Sequence, residues 1–305
     1  MKILVTGASG LVGSALVPFL VSKGHEVVRL VRSEPKPGAT EIRWNPERGV
    51  DDTARLEGLD AVVHLAGENI SEGRWTDEKK TRIRESRVKG TRVLAEALAQ
   101  LAAPPKVLVS ASAIGFYGSR GDEVLTEQSA SGDDFLAEVC REWELATRPA
   151  AAKGVRVVNL RFGVILSKES GALSKMLTPF KLGVGGRVGS GEQYMSWVTL
   201  DDVVGAIYYA LETDALHGPV NVVALRPVTN REFTRTLGSV LSRPTIFPAP
   251  AFALRLAFGE MADALLLSSM RVEPLRLKES GYEFQYPELE GALRHLLNEE
   301  GRAAK

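Results

Sequence analysis

The sequence predicts an α/β fold, a doubly wound parallel sheet accompanied by a smaller C-terminal domain, on three observations. The apolar run Lys2 to Thr6 leads straight into glycines at positions 7, 10 and 13. Strands of buried type then alternate with amphipathic helical stretches, the pattern that places parallel strands between two layers of helices. A length of 305 residues corresponds to about two domains.

The first crossover is the most informative element. Ile3, Leu4 and Val5 form a short β-type run, and Ala15, Leu16, Phe19 and Leu20 recur at helical spacing until Lys23-Gly24 stops the helix. Between them Gly7 permits a sharp turn, Gly10 clears room for backbone to approach phosphate, and Gly13 lets the helix sit close on the strand. Free N–H groups of Leu11, Val12 and Gly13 at the helix start would face an anion such as a dinucleotide pyrophosphate. The second strand, Glu26 to Val31, normally ends in an acid that holds the ribose 2′-hydroxyl of NAD. Here Val31 takes that place and Arg32-Ser33 follows. A guanidinium chelates a 2′-phosphate through charge-assisted hydrogen bonds of roughly 1.5–3 kcal/mol, so NADP is expected in preference to NAD.

Asp60 to Gly67, Lys106 to Ser112, Arg156 to Leu166 and Pro219 to Ala224 read as further parallel strands, with helices over Thr76 to Leu101 and Phe135 to Ala152. Ligands of such a sheet lie outside the strand C-termini, where Leu65-Ala66-Gly67 and Ser110-Ala111-Ser112 fall. His64, inside an apolar strand, reads as a packed core residue. Gly183 to Gly191 holds five glycines and precedes aromatic residues, which suits a flexible lid or wall or a plain interdomain connection. Trp75 reads as core or as an opposing aromatic wall. Thr229 to Glu232 fits a capping box, and Asp201-Asp202 reads as a helix cap or an interface contact.

Composition narrows the function classes. With 38 basic and 38 acidic residues no net charge favours nucleic acid or an anionic membrane. One Cys and four His offer neither a disulfide framework nor a zinc cluster, so no metal is expected. A reducing cytoplasm fits best, and the start of the chain shows no signal pattern. Ala249 to Leu267 is apolar but interrupted by Arg255, Glu260 and Asp263, too short and too charged to span a bilayer.

Through TGASGLVG, AVVHLAG and VSASAIGFYG the chain resembles the extended short-chain dehydrogenases/reductases. AGENI, RWTDEKK, ESRVKGTRVL, LRFGVIL, GVGGRVGSGEQYMSWVTLDD, RPVTNREFTRTL and FGEMADALLLSSMRVEP are similar to an atypical branch described as epimerase-family, sometimes under a SulA-type label, although no residue feature points to a division inhibitor. The resemblance implies a Rossmann-type NADP-binding domain over 1–165, rejoined at 199–224. It implies a smaller substrate domain from 166–198 and 225–305. It also places cofactor contacts at the glycine turn, Arg32, Leu65-Ala66 and cations of the long helix such as Arg82 and Arg87, with Ile165 closing the nicotinamide end. Related enzymes often pair through two long helices, so monomer and homodimer both stay open.

The larger family works with a Tyr four residues before a Lys. None of the six tyrosines here has Lys at that spacing, and Phe135 or Leu136 and Val139 or Cys140 stand where the pair belongs. Hydride transfer to a carbonyl needs a donor near the oxygen that gains charge. Ser112 at the strand end and Tyr117 just after it are the candidates, Tyr117 on condition that a neighbouring cation lowers its pKa. Glu138 and Arg141 could substitute or simply be solvated, and Cys140 reads as a buried small residue. The expectation is an NADP-dependent oxidoreductase or epimerase acting on an unidentified small polar metabolite. The alternative is a non-catalytic NADP-binding or sensing protein.

Overall fold

A computed structural model describes residues 1–36 and 38–297. Its strands are β1 (Lys2–Thr6), β2 (Glu26–Val31), β3 (Glu41–Asn45), β4 (Gly49–Val50), β5 (Ala61–His64), β6 (Val107–Ala113) and β7 (Val124–Leu125). They continue with β8 (Arg156–Phe162), β9 (Val164–Leu166), β10 (Tyr194–Met195), β11 (Trp197–Thr199), β12 (Gly218–Val222), β13 (Val228–Thr229) and β14 (Arg271–Val272). Eight of them form one sheet in the order β12-β8-β6-β5-β1-β2-β3-β4, parallel except for the terminal β3–β4 hairpin. The strand order reverses between β1 and β5, and there the crevice of a doubly wound sheet opens.

Apolar cores cover both faces. On one face α1 (Leu11–Ser22) and α6 (Leu200–Glu212) pack Leu16, Leu20, Val203 and Ile207 onto Ile3, Val5, Val63 and Val109. On the other, α2 (Asp77–Ala99) seats Leu94 and Leu98 against Leu4, Val62 and Leu108. Thr76 caps α2, its side chain accepting from Lys79 N at 3.2 Å, and Asp77 and Glu78 suit the positive helix start. Among the described residues no helix is long and apolar enough to cross a membrane.

Three expectations change. The helix expected over Phe135 to Ala152 is two, α3 (Phe135–Leu145) and α4 (Arg148–Ala152). Pro149 has no N–H to continue the ladder and sits instead in the first turn of the second helix. The strand expected over Arg156 to Leu166 breaks at Gly163, where a Cβ would lie 2.4 Å from Ser196 O and 2.7 Å from Val223 Cγ1. β9 therefore leaves the large sheet and pairs with β11. The β3–β4 hairpin was not expected at all, although Ile42 and Trp44 point inward and Arg43 outward.

Chain from these small strands onward forms a second cluster around Trp197, Phe233, Leu237 and Leu293, to which α5 (Gly171–Lys181), α7 (Asn230–Leu241) and α10 (Leu289–Leu296) contribute; α8 (Ala251–Phe258) buries no residue, and α9 (Leu275–Ser280) packs Leu277 into the first core. Thr229 caps α7 as expected, accepting from Glu232 N. Asp202 is an interface contact: its carboxylate accepts from Gln285 N at 2.7 Å and Tyr286 N at 3.2 Å. The glycine-rich segment 183–191 is no free lid. A Cβ at Gly186 would meet Phe247 O at 1.9 Å, and Gly189 N and Ala249 N bond Ala249 O and Arg187 O. Its glycines allow close packing on the 247–251 backbone.

Candidate cofactor and active site

The turn after β1 is shaped by contacts that exclude side chains. Gly7 has φ +66°, and a Cβ there would stand 2.7 Å from Leu65 C. A Cβ on Gly13 would fall 2.2 Å from Gly7 O. Both glycines thus bring the α1 start against the β1 and β5 ends. Gly10 is the N-cap of α1 and no side chain caps that helix, which leaves first-turn N–H groups for an anionic ligand.

Beneath the turn lies a network the sequence did not reveal. Thr6 Oγ1 accepts from Leu65 N at 3.1 Å and Ala66 N at 3.2 Å, and lies 2.7 Å from His64 Nδ1. With both acceptor sites filled, the Thr6 hydroxyl must donate to Nδ1, so Nε2 carries the imidazole proton and donates to Thr91 Oγ1 at 2.9 Å. His64 is fully buried, as expected, and burial lowers its pKa to about 4. The neutral ring fixes the Leu65-Ala66 segment at the crevice.

Arg32 and Ser33 are exposed where β2 finishes. Arg32 lines a cavity of ≈ 540 Å³ between β2, the β3–β4 hairpin and α2. The cations of α2 divide by position. Arg82 reaches toward this cavity, 3.8 Å from Glu68. Arg87 lies under Gly67, its guanidinium 3.4 to 3.6 Å from where a Cβ would be, stacked 5.1 Å over Trp143 and donating to Ile83 O. Burial lowers its pKa from the usual arginine value. Arg84 instead pairs with Glu142 and Glu138 on α3, which accounts for Glu138 structurally. Lys79 binds Glu68 at 2.7 Å and holds that carboxyl below its usual range.

The strand-end groups behave differently from the expectation. Among the residues that could stand at the Tyr and Lys positions, Leu136 packs on Gly115, with Cβ at 3.3 Å from the space a Gly115 Cβ would fill, Val139 is buried, and Cys140 is buried with its thiol pushed up to about 12 by burial. Ser112 donates its hydroxyl proton to Glu144 Oε1 at 2.7 Å. Since a carboxylate only accepts, Ser112 keeps lone pairs alone for any ligand. Arg161 clamps Glu144 with two bonds, 2.7 and 2.9 Å, and donates to Tyr117 OH at 2.9 Å. Tyr117 has no exposed surface and donates to Asn221 Oδ1 at 2.7 Å. The required cation is therefore present, yet burial outweighs it and raises the Tyr117 pKa.

The remaining candidates are placed as follows. Ser110 is fully buried, its hydroxyl directed at Ala111 O. Ile165, half-buried on β9, packs against the β1–α1–α6 core. Arg141 donates to Gly132 O at 2.6 Å and so braces a loop. Trp75 donates to Ile70 O and meets Phe135 edge-on at 5.6 Å, and Lys80 sits 4.6 Å over the Phe135 ring. No cluster among the described residues could hold a metal ion.

A Rossmann-type sheet with this glycine turn defines the class, and the comparisons define the family. The NAD dependent epimerase/dehydratase family pattern matches residues 3–224, and a domain of unknown function, DUF1731, matches 249–296. The chain belongs to this epimerase family. It is 42% identical over 293 residues to an epimerase family protein of Mycobacterium leprae, covering 96% of this chain and 94% of that one. The crystal structure of human epimerase family protein SDR39U1, described with NADPH, superposes with a TM-score of 0.90 at 36% identity, covering 98% of this chain and 99% of the human one. A Bacillus cereus UDP-N-acetylglucosamine 4-epimerase, 19% identical with a TM-score of 0.74 over 99% of this chain, shares the fold.

Proposed function

We propose that this chain binds NADPH across the Gly7–Gly13 turn and acts as an oxidoreductase, or as an epimerase through transient oxidation, on a small polar metabolite. The observation that carries the reading is the cradle itself: glycines whose Cβ atoms would collide with backbone, set before an uncapped helix start. Arg32 at the β2 end and the human relative described with NADPH support the phosphorylated carrier. Leu65, Ala66 and Gly67 form the crevice wall, Arg87 supports it from below, and Ile165 closes the far end. Bound there, the nicotinamide supplies or takes up hydride. Ser112, its proton committed to Glu144, accepts a hydrogen bond from an amide or hydroxyl of the bound pair, while Tyr117 braces the strand ends. Proton supply then falls to water or substrate. A lone buried Cys140 suits a reducing cytoplasm, and monomer or homodimer is compatible with this site.

One observation favours a second reading, NADPH binding without turnover: neither a Tyr nor a Lys stands at the positions where the pair belongs, and the Cys140 thiol is pushed up to about 12 by burial. Steady-state NADPH consumption over a panel of carbonyl compounds separates the two. Turnover that survives Tyr117→Phe and falls in Ser112→Ala supports the oxidoreductase as drawn. Turnover abolished by Tyr117→Phe at unchanged stability would return the proton donor to Tyr117. NADPH binding with no consumption supports the second reading.

A further inference from the structure

Resting on the NADPH reading, we propose that Arg48, at the tip of the β3–β4 hairpin, is a second cation for the 2′-phosphate and shares with Arg32 the choice of NADPH over NADH. The hairpin is built to present it. Asn45 Oδ1 accepts from Glu47 N at 2.8 Å and Asn45 O accepts from Arg48 N at 3.1 Å. Gly49 then turns the chain at φ +133°, so that Trp44 and Val50 pair on the inward side. Register fixes where the tip lies. β2 and β3 run parallel with Val31 opposite Arg43, which sets Asn45 level with Ser33 and the tip just outside the end of β2. Arg32 and Arg48 line the same ≈ 540 Å³ cavity, and both are exposed.

Charge pairing within that cavity separates these two arginines from the rest. Arg43 is held by Glu34 and by Asp51 at 3.6 Å, and Arg82 lies 3.8 Å from Glu68. Arg32 and Arg48 have no acidic partner within 4.0 Å among the described residues. The carboxylates of Glu47 and Glu85 also line the space; acceptors of that kind suit the adenine amino group and ribose hydroxyl, not the phosphate. A dianionic 2′-phosphate between two guanidiniums gains charge-assisted hydrogen bonds from each. A cofactor lacking that phosphate leaves both in water and gains neither.

Calorimetric titration of the full chain with NADPH, NADH, 2′,5′-ADP and 5′-AMP tests this. Arg48→Ala is expected to weaken NADPH and 2′,5′-ADP by about tenfold, the size of one charge-assisted bond, and to leave NADH and 5′-AMP unchanged. Arg48→Lys should recover part of the loss. Wild-type NADPH affinity in Arg48→Ala, with Arg32→Ala weakened, overturns the role of Arg48 and leaves the NADPH reading standing. Equal loss for NADPH and NADH assigns Arg48 to the shared part of the ligand and overturns the specificity role. A wild-type chain that binds none of the four overturns the NADPH reading itself.

Discussion

Two stretches of the same sheet edge, the β1–α1 turn and the β6–α3 junction, differ in what has been kept. At the turn, ligand recognition is encoded in backbone: glycines that tolerate nothing larger, and N–H groups left uncapped. At the junction, Phe135 or Leu136 and Val139 or Cys140 stand where the Tyr and Lys are expected. A buried chain of bonds, Ser112–Glu144–Arg161–Tyr117–Asn221, ties the strand ends together instead. Within one fold, cofactor binding and proton transfer are separable, because one depends on main-chain shape and the other on a few side-chain tips.

The comparison breaks most visibly at the ion pair. Arg161 and Glu144 are 3% and 13% exposed, and removing one member strands a charge in the interior. Arg161→Met is expected to lower stability by about 3–5 kcal/mol, with Arg161→Met/Glu144→Leu costing less than the single change, both read from urea denaturation. If the single variant is as stable as wild type, the junction is no structural brace.

At the turn, Gly13→Ala would set its Cβ 2.2 Å from Gly7 O. Overpacking of this kind costs about 1–3 kcal/mol, occasionally more, and the shifted helix start should no longer bind NADPH in a calorimetric titration. Binding at wild-type strength would show that the turn does not hold the cofactor.

Protons sharpen the picture of what lies beneath the turn. Burial lowers the His64 pKa to about 4, below the ordinary histidine value of 6.5, so below 6.5 the unfolded chain takes up the proton that the folded one refuses. The stabilisation is complete above about pH 6.5 and is lost as pH falls toward 4, to a total of about 3 kcal/mol. Denaturation curves between pH 4.5 and 7 should show this slope, and His64→Gln should flatten it. An equal slope in that variant would place the titration elsewhere.

What could be read from sequence follows the same division. The glycine turn, the β2 end at Arg32 and the buried His64 were legible because strand period, helix period and glycine spacing are local signals. Arg87 is named only through the family resemblance; the structure puts it under Gly67. The Ser112–Glu144 bond was not legible: it joins residues 32 apart, and nothing local in Glu144 distinguishes a buried ion-pair partner from a solvated helical acid. The β3–β4 hairpin is not legible because Asn45-Pro46-Glu47-Arg48-Gly49 reads as loop and leaves only Glu41 to Trp44 before it. Gly163 reads as the interior of one strand and the glycines of 183–191 as flexibility in sequence; in space they are places where two backbones meet.

The central claim, a site shaped for NADPH with Arg32 gripping its adenosine end, is tested most directly by thermal stabilisation at equal concentrations of NADPH and NADH. A ligand that binds only the folded chain raises stability by RT ln(1 + [L]/Kd). The account predicts a larger rise in Tm with NADPH for the wild type, and a much smaller difference between the two in Arg32→Ala. Equal shifts by both cofactors in the wild type, or no shift by either, would contradict it.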